Sequence, residues 1–268
     1  MMRWNVLMAA AAFKAKRAQG GYMYSTRNRG RLVGLLYLLV SIPGFFALIY
    51  VPGKLIVHGD AAATASNIAA SEALFRIGIA CNVLSEILFM WVALALYDLL
   101  KQVSQRQASL MLGLLLVSVP IALLNELNAI AALLFVHGAD FLTVFDKPQR
   151  DALAMLFLNL HTQGFVVAEI FWGLWLFPLG LLVYRSGLFP RIFGILLMFN
   201  CLTYVVNSFT YLLLPQHREI VSRWMKPFGF GELIFMFWIL IMGAKPKPFA
   251  AEVSGLIAPA ALPSDLDA

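Results

Sequence analysis

The sequence predicts an all-α protein, a polytopic transmembrane helical bundle of six spans with both termini cytoplasmic. Three observations predict it. The chain is 61% hydrophobic and only 13% charged, with a mean hydropathy of +0.82, whereas a soluble domain is about half apolar and about a quarter charged. The apolar residues are gathered into blocks long enough to cross a bilayer. Within those blocks they run continuously rather than alternating with period two, which excludes a β-barrel and leaves helices as the way to satisfy the backbone in hydrocarbon.

Taken in order, residues 1–31 form a basic cytoplasmic arm whose short apolar run, Trp4 to Phe13, cannot span. Its charge follows that run rather than preceding it, unlike a signal peptide; translation from Met23 would leave a shorter arm. The transmembrane domain covers 32–243. Its first span is Leu32 to Val51, with Pro43-Gly44 inside and Pro52-Gly53 as a stop. A loop from Lys54 to Leu74 carries one short helix with Asp60 as N-cap. The second span is Phe75 to Leu100, and the third is Ala108 to Val136 around Pro120. The fourth, Asp151 to Tyr184, would be about 51 Å of straight helix against a core of about 30 Å, so it tilts, projects or bends, with Pro178 and Gly180 marking the bend. The fifth is Ile192 to Leu214. Pro215 to Pro227 reads as a charged loop with Trp224 as interfacial anchor. The sixth, Phe228 to Gly243, is short. Residues 244–268 read as a disordered Pro- and Ala-rich tail.

Net charge is +6. It is concentrated before the first span, where it is a topology signal and not a nucleic-acid footprint. With the N-terminus inside, thirteen Lys and Arg fall on inner segments and seven on outer ones. That bias supports six spans with both ends cytoplasmic in a multi-pass inner-membrane protein whose main partner is the lipid bilayer. Cys81 and Cys201 both sit in apolar runs without metal-ligand spacing.

The phrases RGRLVGLLYLLVSIPG, TASNIAASEALFRIGI and IFWGLWLFPLGLLVYRSGLFPRIFGILL resemble a family of bacterial multi-span membrane proteins described as a domain of unknown function. The resemblance covers about residues 27–243, and the Trp-Gly-Leu-Trp-Leu-x-Pro-x-Gly phrase at 172–180 is its most specific part. It implies six spans and carries no activity or catalytic residue with it.

Ionisable residues inside spans are costly, about 2.5–3.5 kcal/mol for an Asp at a helix centre, and mark functional sites. Four acids fall there: Glu86, Glu126, Glu169 and Glu232. At about 1.5 Å per residue, Glu86, Glu126 and His161 each lie about 15 Å below the outer end of their helix, so three helices bring them to one layer. Asn82, Asn125, Asn128 and Asn207 share that outer half, while Glu232 sits close to the outer end and reaches water. This layer suits an outward-opening pocket for a small solute or a proton. The candidate ligand-binding residues are Glu86, Glu126, His161, Glu169, Asn82, Asn125, Asn128 and Asn207.

The alternative is a metal-dependent intramembrane hydrolase in which His161, Glu126 and Glu86 hold a single divalent metal; no cofactor is otherwise predicted. Against an enzyme, the chain has no HExxH, no GxSxG and no glycine-rich phosphate or dinucleotide pattern. A third alternative is a non-catalytic membrane assembly component.

Overall fold

The computed structural model describes residues 26–225 and 229–245. The sequence readings of the arm before residue 26 and of the tail after 245 lie outside the described residues. The described chain is helical throughout, without strands: α1 Thr26–Leu55, α2 Ala61–Ala70, α3 Glu72–Leu100, α4 Gln105–His137, α5 Lys147–Leu174, α6 Leu176–Ser186, α7 Arg191–Leu213, α8 Arg218–Met225 and α9 Gly231–Met242. Local chemistry sets the boundaries. Ser104 caps α4 through the Gln107 N–H, and Gly138, at φ 66°, closes its other end in a conformation that favours glycine. Asp146 and Gln149 form a reciprocal capping box at the start of α5. Asp60 accepts from the Ala63 N–H, as its position predicts.

Proline acts differently from expectation at two places. Pro52 does not stop α1. The turn before it, Phe46–Tyr50, widens to π-helical spacing, which accommodates a residue that has no N–H to donate, and the helix ends only at Leu55. In the fourth span the break falls at Trp175, between α5 and α6. That is three residues ahead of Pro178, because a proline ring collides with the carbonyl four residues back, here Leu174.

Five helical stretches are long and apolar enough to cross a membrane: α1, α3, α4, the joined α5–α6 of 40 residues, and α7. Leu124, Leu127, Ile42 and Phe45 stay exposed on their outer faces, where lipid would cover them. After α7 come two short helices, and the first of them corrects the sequence reading of residues 215–227 as a loop. Residues 218–225 are helical, and α8 packs back along the outer half of α7, with the Arg218 guanidinium 4.1 Å from the Tyr211 ring centroid. The 12-residue α9, about 18 Å long, then covers only the inner half. Its Gly231 meets the Leu196 carbonyl, Phe235 packs on Phe189 and Phe193, and its far end meets the start of α1, where Arg31 donates to the Ile241 carbonyl at 3.1 Å. The first and last described helices therefore end on the same side. Glu232 is consequently not near the outer end. It lies within electrostatic reach of Tyr37 and Tyr204, which stand near the middle of α1 and α7.

Two apolar clusters bracket the polar residues. The inner one centres on Trp175, Leu176, Leu179 and Leu182 with Leu96, Met111 and Leu197. The outer one joins Val51, Leu55 and Ile68 to Phe75, Leu133 and Leu158. Ile68 is fully buried, so α2 is part of the outer cluster and not only an interfacial helix. Glycine permits the closest crossings: Gly173 faces Tyr204, and Gly180 faces Gly194, both on α7.

Candidate functional site

Between the two clusters, α3, α4 and α5 each contribute one polar side chain to a single contact. Glu126 of α4 is the centre. Its Oε1 accepts from Asn82 Nδ2 of α3 at 2.8 Å and shares a hydrogen bond with His161 Nε2 of α5 at 3.1 Å. Glu126 is only 4% exposed and Asn82 6%. Burying an acid here costs about 2.5–3.5 kcal/mol on the translocon scale. Two hydrogen bonds to Oε1, about 0.5–1.5 kcal/mol each, offset part of that cost, while Oε2 stays buried without a partner.

A second set fixes the approach of α5. Asn125 Nδ2 donates to the backbone carbonyl of His161 at 2.7 Å, and Asn128 Nδ2 donates to Asn125 Oδ1 at 3.0 Å. Gly164 lies against the Asn125 carboxamide, leaving no room for a Cβ. The His161 ring is held edge-to-face on Phe165, centroids 4.8 Å apart. The neighbouring α4 and a ring of α5 itself thus dictate where this imidazole stands.

His161 also divides two spaces. On one side is a pocket of about 40 Å³, walled by Val51, Leu55, Phe75 and Leu158, which Asn82 and Glu126 reach. That is room enough for water. On the other is a cavity of about 700 Å³ between the outer halves of α1 and α5, closed by α7 and α8. Its polar lining includes Asn159, Thr162, Glu169, Asn207, Arg218 and Ser222. Arg218 is within electrostatic reach of Glu169.

Residues 32–243 match the family model described as Domain of unknown function (DUF4386). The chain belongs to the DUF4386 family. A relative named "Uncharacterized protein" from Archaeoglobus fulgidus is 34% identical over 159 residues, which cover 59% of this chain and 79% of the relative. No solved structure matches the chain. DUF4386 membership and the apolar helices together make it a multi-pass membrane protein.

The structure gathers most of the candidate residues of this DUF4386 chain, though not as one layer. Asn82, Glu126 and His161 touch, and Asn125 and Asn128 support them. Glu169 and Asn207 stand apart on the wall of the larger cavity. Glu86 is buried one turn further along α3, with its Oε2 unpartnered. Asn82, not Glu86, is the α3 group that meets Glu126, so depth alone did not choose between two residues on one helix face. Among the described residues no three His, Cys, Asp or Glu side chains converge as a metal would need, and Glu86 accordingly does not join Glu126 and His161 as a ligand set. Arg218, Ser222 and Trp172 were not among the candidates. A signal for the first two was present: Arg218 and Ser222 are four apart and line the cavity, while Ile220 and Trp224, also four apart, are exposed on another face of α8.

Proposed function

We propose that this protein binds a small polar solute, and through it a proton, in a cavity open to the outer face of a bacterial inner membrane, with both termini cytoplasmic. The observation that carries the reading is the position of His161, with one side on a cavity of about 700 Å³ and its Nε2 on the buried carboxylate of Glu126. A solute that hydrogen-bonds the other ring nitrogen biases which nitrogen carries the proton facing Glu126, so occupancy and protonation of the pair are linked. The excess of Lys and Arg on the segments at the end shared by α1 and α9 supports the orientation. A divalent-metal hydrolase would need a third ligand beside Glu126 and His161, and the donor geometry offers none among the described residues.

Native mass spectrometry of gently purified protein tests this. Wild type carries a small-molecule adduct that is neither metal nor detergent, and His161→Ala and Glu126→Leu lose it while keeping the helical circular dichroism. An adduct of equal occupancy in all three would remove His161 and Glu126 from the site.

A further inference from the structure

The larger cavity carries one charge of each sign, and neither is ion-paired to another side chain among the described residues. Glu169 projects from α5 and Arg218 from the start of α8, both onto the same cavity wall. They sense each other without closing to an ion pair. Around Arg218 the wall supplies Asn207 and Ser222, and the guanidinium is braced on the Tyr211 ring at 4.1 Å. Around Glu169 it supplies the rings of Phe165 and Trp172, centroids 5.8 Å apart, whose faces favour a cation. The Trp172 Nε1–H is buried without a protein partner.

We infer that this cavity takes a zwitterion, its ammonium group against Glu169 and the aromatic pair, its anionic group against Arg218. The inference rests on the solute-binding reading and gives that solute a chemical class. Charge balance argues for it. A simple anion meets Glu169, a simple cation meets Arg218, and a neutral solute displaces water from the half-buried Glu169 without matching its charge. A zwitterion spanning the gap answers both. Ammonium and phosphate in one molecule occur as a lipid headgroup or as a free solute. The cavity admits either, since apolar residues of α1, Ala47 and Leu48 among them, form its other wall.

The test reconstitutes the full chain in vesicles of equal parts phosphatidylethanolamine and phosphatidylglycerol and reads retained lipid by native mass spectrometry. A second arm adds glycerophosphoethanolamine to detergent-solubilised protein. Wild type retains the ethanolamine lipid over the glycerol lipid about tenfold, the effect of about 1.4 kcal/mol, or binds the soluble headgroup alone, which identifies a free solute. Glu169→Gln brings the two lipids to parity, and Arg218→Gln loses both, whereas Arg218→Lys retains them. For a free solute, Glu169→Gln and Arg218→Gln each lose the soluble adduct. Unchanged size-exclusion profiles show that the variants fold. No preference and no soluble adduct in wild type, or binding that survives both charge-removing variants, overturns the zwitterion. Accessibility of the cavity from outside, measured separately at Thr162, still stands or falls on its own.

Discussion

Glu126 holds the site together because one oxygen serves two helices. Replacing it with leucine removes the acceptor that the Asn82 amide and the His161 imidazole share. We expect a loss of about 1–3 kcal/mol for the unsatisfied groups, seen as a lower denaturation midpoint in mixed micelles. Glu126→Gln keeps an acceptor at Oε1 and stays close to wild type in the same titration. Gly164 is the second sensitive position. A methyl group there collides with Asn125, which holds the His161 carbonyl. Gly164→Ala is therefore expected to cost about 1–3 kcal/mol through overpacking and to abolish solute retention, whereas Gly113→Ala, which meets nothing within 4 Å, is neutral in both assays.

The helices show which parts of the chain could be read from residues alone. Long apolar runs fixed α3, α4 and α7 to within a few residues of their observed ends, because crossing hydrocarbon takes about 20 consecutive apolar residues and polar turn residues bound each run. Asp60 was legible as a cap since its chemistry is local. The consequences of proline were harder to read. The position of Pro178 signalled a break, but the collision is with a carbonyl four residues earlier, and Pro52 was absorbed by a wider turn instead of ending α1. Residues 218–225 were misread because four of the eight are polar or charged, and a helix with no buried residue makes sense only once the cavity that Arg218 and Ser222 line is seen. Two expectations belong to this scale. Asp146→Ala removes the capping box of α5 and costs about 1 kcal/mol, measured by the same denaturant titration. Ser222→Cys on α8 reacts with a water-soluble maleimide, while Met236→Cys on α9, packed at 2% exposure, does not.

At the scale of the whole molecule, two dry clusters clamp a polar layer, and a cavity enters beside it from one end. The sequence showed which residues were polar at that depth. It did not show that Asn82 and not Glu86, one turn further along the same face, would meet Glu126, since that depends on how α3 is shifted along its axis against α4. Nor could it pair Glu169 with Arg218, which lie 49 positions apart and meet only because α8 folds back on α7. The central claim is that His161 borders a cavity open to the outer face. Thr162, its neighbour on the same wall, tests it most directly when replaced by cysteine in a Cys81→Ala/Cys201→Ala background. A membrane-impermeant thiol reagent added to intact spheroplasts is predicted to label Thr162→Cys. Labelling only from inverted vesicles, or none from either side in folded protein, would contradict the account.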